Sequence, residues 1–279
     1  MTPPNYTFDQ FNQDLLIVLV LYERRLSESE AWATLAATAS CDVFVYDNSP
    51  VAQAAPEDSR VTYVHDESNP GVSVPYVTAA AHARRLKKRW LLFVDQDTSF
   101  PPNALDVYHR AVSSNPHQVI FVPQLFADTV MVSPFRHKTI RGHLAKGVGP
   151  GPLFLTDFFA ANSGMLVNAD HYHAIGGHDP EFPLDFSDFA FLYRAKAKVS
   201  EMEVVDLKAE HQVSFWNKAE REAQLARFKT YCTSARRMKK YTDRPARDII
   251  IIFIRALKLT IRFSTIRYLQ IAWRTWVLG

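Results

Sequence analysis

Residues 90–100, WLLFVDQDTSF, decide how the rest of the chain is read. Trp90 to Val94 form an unbroken apolar run, as expected of a strand buried on both faces of a sheet. Asp95, Gln96 and Asp97 end that run, and Pro101-Pro102 stop further pairing because neither has a backbone N–H to donate. In an open α/β sheet, ligands lie beyond the carboxyl ends of the strands. Two carboxylates placed there repel each other unless a positive charge joins them. A hard divalent cation that also takes phosphate oxygens answers that need. Asp-x-Asp alone is equally what a solvated turn offers, so the neighbouring segments must carry the argument.

Upstream, Leu15 to Tyr22, LLIVLVLY, fits a central strand of a parallel sheet. Ser27 and Glu30 have capping-box spacing and predict an Ala-rich helix to about Ala39. Asp42 to Tyr46 is a second strand, ending in Asp47-Asn48-Ser49, and Val61 to Val64 a short third. Asn69-Pro70-Gly71 makes a turn before a helix over 74–88. The Asp-x-Asp strand is therefore fourth. Alternating strands and helices predict a Rossmann-like α/β fold with a mostly parallel sheet flanked by helices. Polar groups stand at the ends of the first, second and fourth strands, where a nucleotide would lie.

Downstream, 102–113 predicts a helix and 118–122 a fifth strand. Pro134 to Pro152 holds Gly142, Gly147, Gly149 and Gly151 with Arg136, Lys138, Arg141 and Lys146, the composition of a mobile loop. It could be a surface insertion or a substrate lid. Residues 156–168 predict strand, turn, strand, and 176–180 a loop. The segment 185–196 has helical length, with Asp185 and Asp188 on its first turns, where acids also serve as simple caps. A strand at 203–207 precedes His211. A polar helix over 216–241 and a final apolar-basic helix from Pro245 complete the chain.

The 279 residues suffice for one large domain with an appendage, and 47% hydrophobic against 22% charged is a soluble globular balance. Cys41 and Cys232 make no disulfide framework or metal cluster, which favours a reducing compartment. The start, MTPPNYTFDQFNQD, lacks the basic and apolar regions of a signal peptide, and no apolar run has transmembrane length.

The net charge of +3 is unevenly spread. Arg227 to Gly279 holds 13 of the 32 basic residues and only 2 of the 29 acidic ones. By charge alone such a tail could meet membrane lipid or nucleic acid. Its pattern points to lipid, with no nucleic-acid partner expected. Arg244, Arg247, Arg255, Lys258 and Arg262 fall on one side of a helix, and Ile250, Ile251, Phe253, Ile254, Leu257 and Ile261 spread over the rest. Tyr268, Trp273 and Trp276 are residues that favour a membrane interface. The expectation is a body at 1–225 and basic amphipathic helices at 226–279 lying on an anionic membrane surface. Packing on the body, or on a second copy in a homo-oligomer, is the other reading of the tail.

Taken in order, YDNS, NPGVSVPYVTAAAHA, VDQDT, ANSGMLV, IGGHDPEF and LDFSDFAFLYR resemble family 2 glycosyltransferases of the GT-A fold, from Leu15 to about His211. DQDT together with the LDFSD block is most similar to the bacterial rhamnosyltransferases of that family. The resemblance implies an inverting transfer of a sugar, rhamnose from TDP-rhamnose, to a saccharide or lipid-linked saccharide in cell-surface polysaccharide synthesis. It also implies a divalent metal, Mg2+ or Mn2+, and a cytoplasmic site at the inner face of the membrane. Asp47, Asn69 and Asp95 would contact the nucleotide. Asp97, with Asp95 and His211, would hold the metal and diphosphate. Asp188 would be the general base, supported by Asp185. Val77 and Ala190 depart from the pattern, where relatives usually have Asn and often an acid.

Two rival readings stand beside this one. Hydrophobic strand then D-x-D-x-T also resembles haloacid-dehalogenase-type phosphatases, in which Asp95 would be the nucleophile. That motif normally opens its domain, whereas two strand–helix units precede it here. A non-catalytic membrane- or saccharide-binding protein on the same fold would account for Val77 and Ala190, but not for the retained acids.

Overall fold

The computed structural model describes residues 6–138, 140, 142–145, 147–212, 221–242 and 245–278. Helix α1 (Phe8–Asp14) leads into β1 (Leu15–Leu21), followed by β2 (Asp42–Asp47), β3 (Val61–His65), α2 (Ser73–Arg85), β4 (Trp90–Asp95), β5 (Thr98–Ser99) and α3 (Ala104–Ser114). Next come β6 (Ile120–Ala127), β7 (Val130–Ser133), β8 (Phe135–His137), β9 (Gly142–Leu144), β10 (Gly151–Phe154), β11 (Phe158–Phe159) and β12 (Met165–Asn168). Then follow α4 (Ala169–Ile175), α5 (Ser187–Ala195), β13 (Glu201–His211), α6 (Arg221–Arg237), α7 (Pro245–Phe263) and α8 (Arg267–Trp273).

The main sheet has the order β10-β13-β6-β12-β4-β1-β2-β3, with β5 and β7 pairing off its path. β3, β2, β1 and β4 are mutually parallel, and β6 and β13 are parallel to each other. β12 runs antiparallel to both β4 and β6, so β6 and β13 share the direction of β4. The carboxyl ends of β1, β2, β4, β6 and β13 therefore meet along one edge. All seven residues of β1 are buried. Leu16, Val18 and Val20 pack with Tyr76, Ala79 and Ala83 of α2, while Leu15, Ile17 and Leu19 pack with Phe11 and Tyr108 across the sheet. Burial on both faces is why this strand reads as continuous rather than alternating.

Several expectations are corrected. Residues 27–39 do not form one regular helix: a 3-10 turn spans Leu26–Glu28, and a wider π turn spans Trp32–Ala36. The capping serine is Ser29, whose Oγ accepts from the Trp32 N–H at 3.2 Å and donates to the Gln96 carbonyl at 3.1 Å. The Glu30 N–H also donates to that carbonyl, at 2.9 Å, so the Asp-x-Asp turn holds this segment in place. The segment expected as a mobile loop contains β8 and β9, which with β11 form a three-stranded antiparallel sheet. Aromatic packing holds it: His137 stacks on Phe159 at 3.6 Å, and Phe135 on Phe189 at 5.3 Å. Arg141 and Lys146 lie outside the described residues. Helix α5 begins at Ser187, so Asp188 is on its first turn and Asp185 precedes it. β13 is longer than expected and ends on His211 itself.

The tail is not one uninterrupted helix. α7 stops at Phe263, and Ser264 has a left-handed φ of 49° before α8 begins. Tyr268 and Trp276, expected at an interface, are buried, and α6, α7 and α8 contribute Phe228, Ile252, Ala256 and Ala272 to the same core as α2 and α5. Arg255 leaves the expected basic stripe and lies over the Tyr231 ring, 3.8 Å from its centroid. Arg244 and Trp216 lie outside the described residues.

Gly71 fixes the approach of α2 to the segment ahead of α5. Its φ is +83°, and a Cβ there would stand 1.9 Å from the Pro183 carbonyl oxygen. The Val72 N–H donates to that oxygen at 2.6 Å, and the Ser73 hydroxyl to the Phe182 carbonyl at 2.6 Å. Gly71→Ala is expected to destabilise the protein by roughly 2 kcal/mol or more, from the left-handed backbone and the backbone clash together. Denaturant unfolding monitored by circular dichroism checks this; an unchanged midpoint would count against the close approach.

Candidate active site

The sheet edge gathers the sequence-predicted acids. β4 delivers Asp95, and the turn after it delivers Asp97. Gln96, between them, turns away to pair with the end of β1: its Oε1 accepts from the Tyr22 N–H at 2.9 Å and its Nε2 donates to the Tyr22 carbonyl at 3.1 Å. This side chain imitates one rung of the parallel ladder and fixes the turn.

His211 arrives by strand register. The end of β13 pairs antiparallel with β5, placing His211 opposite Thr98. A slip of one residue would send the imidazole to the other face. His211 Nδ1 lies 2.8 Å from Thr98 Oγ1 and 3.5 Å from an Asp97 carboxylate oxygen. Thr98 Oγ1 also meets Ser163 Oγ at 2.7 Å, and Ser163 Oγ accepts from the Asp95 N–H at 3.0 Å. One ligand atom each from Asp95, Asp97 and His211 lies within 4.8 Å of the others. Two carboxylates and an imidazole so placed fit a divalent cation of the Mg2+ or Mn2+ type. Burial, together with the charge of Asp97, raises the Asp95 carboxyl to about 6 against the opposing pull of His211. A bound cation would relieve that opposition to ionisation.

Asp188 faces the same edge. Burial foremost, with the charges of Asp185 and Asp95, pushes its carboxyl up to about 7, although it accepts from the Phe189 N–H at 2.8 Å. Tyr76 joins the two halves of the site: its hydroxyl donates to Asp95 at 3.2 Å, and both Asp95 and Asp188 bear on its ionisation. Asp185 is set further back. One of its oxygens is buried without a hydrogen bond, and burial raises its pKa while Arg227 and Arg255 oppose the rise.

Asp47 and Asn69 stand at the same edge with different exposures. Asp47 is fully buried, and its oxygens accept from the Ser49 N–H at 2.9 Å, Gln53 Nε2 at 2.9 Å and the Tyr63 hydroxyl at 2.7 Å. Burial opposes its ionisation, but these bonds hold its carboxyl below the usual range. In this structure Asp47 organises the loop after β2. Asn69 is exposed on its turn, with a left-handed φ of 46°. Val77 is partly exposed on α2, whereas Ala190 is fully buried on α5. Its side chain belongs to the core, not to the site.

Several contributing residues carried no assigned chemistry in the sequence. Ser163, Thr98 and Tyr76 all lie inside the quoted motifs, but only strand pairing shows which atoms they meet. Beneath α5, buried His178 bridges the Tyr172 hydroxyl and Asn162 Oδ1, each at 3.0 Å, and Asn162 Nδ2 donates to Ser187 Oγ at 2.8 Å. Burial, aided by Arg194, pushes His178 down to about 3, so it stays neutral and serves as a fixed polar strut next to Asp188.

No protein-family model and no curated protein sequence matches this chain. Solved structures share its fold. A structure of GalNAc-T7 with UDP, GalNAc and Mn2+ superposes with a TM-score of 0.55 at 10% identity, over 78% of this chain and 47% of that one. S. aureus TarS 1-349 in complex with UDP-GlcNAc gives 0.54 at 12% identity, over 90% of this chain and 73% of that one. Another structure of TarS 1-349 gives 0.51 at 12% identity, over 95% and 72%. This chain thus spans about half the length of the first and most of the other two. At these identities the likeness establishes the fold, an α/β sheet flanked by helices of the GT-A glycosyltransferase type.

The Asp188 environment has a measurable consequence. Its carboxyl moves from 3.8 to about 7 on folding, so the folded state binds the proton more tightly and loses stability as pH rises through that window. Asp188→Asn is therefore expected to melt above the parent at about pH 8, with the gap closing at about pH 3 and below, where the carboxyl is largely protonated before and after unfolding. Equal melting temperatures at the higher pH would contradict this environment.

Proposed function

We propose that the protein is a metal-dependent GT-A glycosyltransferase that moves a sugar from a nucleoside-diphosphate donor to an acceptor hydroxyl. The observation that carries the reading is the convergence of Asp95, Asp97 and His211 at the strand edge with the proton-hungry Asp188 beside them. Asp95, Asp97 and His211 are the residues that would hold the cation. When bound, it supplies Lewis-acid stabilisation of the charge that develops on the departing diphosphate. Asp188 takes the proton of the acceptor hydroxyl as that oxygen attacks the anomeric carbon. A carboxyl near 7 suits such a base at neutral pH, and general-base help is worth roughly 10²–10⁴-fold. Attack from the face opposite the leaving group inverts the anomeric centre and requires no enzyme nucleophile. Tyr76 orients Asp95, and the Asn162–His178 strut steadies the start of α5. The fold comparison favours this reading over a phosphatase using Asp95.

The donor and acceptor rest on finer grounds. The DQDT and LDFSD blocks support TDP-rhamnose as donor, with a saccharide or lipid-linked saccharide as acceptor in cell-surface polysaccharide synthesis at the cytoplasmic face. One TarS structure holds UDP-GlcNAc and the GalNAc-T7 structure holds UDP, GalNAc and Mn2+, so UDP-GlcNAc is the natural comparison. Asp47 and Asn69 are placed by this reading on the nucleotide side. Asp185 is placed as support for Asp188.

A thermal-shift screen of TDP-rhamnose, UDP-GlcNAc and other nucleotide sugars, with Mg2+ and with Mn2+, tests the donor. A ligand at 100 times its dissociation constant stabilises by about 2.7 kcal/mol. Asp97→Ala is expected to remove the metal-dependent part of that stabilisation while leaving the fold intact. Donor binding that survives a chelator unchanged would overturn metal dependence. Asp188→Asn is expected to keep donor binding and lose sugar transfer at least about a hundredfold. Transfer at the parent rate would move the base to another residue, with Asp185 the nearest acid to test.

A further inference from the structure

The described tail separates its apolar residues into two faces. Asp248, Ile252 and Ala256 are buried against the body, and Asp248 accepts from the Ile140 N–H at 3.2 Å. On the outward side Ile250, Ile254, Leu257 and Ile261 are 58, 50, 49 and 70% exposed. Their spacing of four, three and four residues makes one straight stripe along α7. At 1.5 Å per residue it runs about 16 Å. Ile266, Trp273 and Val277 continue the exposed apolar surface beyond the Ser264 break.

The exposed charge carried by α7 and α8 is of one sign, and the one exposed carboxylate shown pairing with it is Glu222 of α6, on Arg267. Arg247, Lys258, Arg262 and Arg274 are exposed on these helices. Asp248 is the only acid from Pro245 to Gly279, and it is fully buried. Between α6 and the chain after α8, a cleft of about 550 Å3 is lined by Arg236, Arg237 and Arg274 with Thr233 and Thr275. Among the described residues no helix is long and apolar enough to cross a membrane. A helix anchored along one side, with aliphatic groups outward, cations beside them and no exposed carboxylate, matches a surface that is apolar below and anionic above.

We propose that α7 lies flat on an anionic lipid bilayer, Ile250, Ile254, Leu257 and Ile261 entering the acyl boundary and Arg247, Lys258 and Arg262 meeting lipid phosphates. This rests on the exposed stripe and its charge, and stands apart from the glycosyltransferase reading. Sedimentation of the full chain with vesicles tests it. Binding is expected to vesicles of phosphatidylcholine mixed with phosphatidylglycerol at low salt, weakly to phosphatidylcholine alone, and to fall at about 0.5 M salt as screening shortens the reach of charge. Ile254→Glu with Leu257→Glu, at exposed positions that leave the core intact, is expected to cut partitioning at least tenfold with an unchanged melting curve. Arg247→Gln with Lys258→Gln is expected to weaken binding to the anionic vesicles only. The proposal is overturned if the parent ignores the anionic vesicles, or if the Ile254/Leu257 variant partitions as the parent does. A concentration-dependent dimer of the parent that the same variant breaks, without vesicle binding, would assign the face to a second copy. Nucleotide-sugar binding, read separately by thermal shift, distinguishes failure here from failure of the enzymatic reading.

Discussion

Like charge at the edge of one sheet governs this structure. Asp95 and Asp188 are brought, beside Asp97, to one place where burial already disfavours the ionised form of these two carboxyls. The protein spends hydrogen bonds on orientation more than on neutralisation: Tyr76 donates to Asp95, Ser163 accepts from its N–H, and Thr98 sets His211. What the protein leaves unbalanced is what a cation with a diphosphate would balance. Such tension is stored only where surrounding structure over-determines the geometry. Here the double pairing of the turn does so, with Gln96 laddered to Tyr22 on one side and His211 registered on Thr98 on the other.

That arrangement also explains what could be read in advance. Strands buried on both faces announce themselves as apolar runs, so β1, β2 and β4 and their polar ends were legible from Leu15 to Asp97. So was the alternation of strand and helix from β3 to β6, apart from the two-residue β5. The partner of each acid was not legible, because it depends on pairing between distant segments. Thr98 and His211 are 113 residues apart and meet through a two-strand register that no local pattern encodes. The strands within 134–152 are illegible for a similar reason. The glycines and cations predict a loop, while the aromatic rings that pack on this segment, Phe159 and Phe189, lie in later segments. Spacing marks Ser27 as the helix cap, and it cannot show that Ser29 instead donates to the Gln96 carbonyl.

The tail shows the same division. Helical periodicity correctly marked α7 as amphipathic but could not say which apolar residues face inward. Arg255 illustrates the difficulty: by wheel position it belongs with Arg247 and Lys258, yet it turns inward over Tyr231. Tyr268 and Trp276 are interface residues by type and core residues by packing.

These inward contacts join the tail to the chemistry. The Tyr231 ring on α6 lies 5.2 Å from that of Phe186. Phe186 has a φ of 68° and sits between Asp185 and Asp188, at the turn that launches α5. A bulky residue in the left-handed region needs outside support to stay there. α6 gives that support through Tyr231, and α7 backs Tyr231 through Arg255. The helices that carry the exposed stripe outward thus brace, on their other side, the turn that aims Asp188. A surface bound to α7 would be two side-chain contacts from the backbone that positions Asp188, so the tail is part of the scaffold of the site.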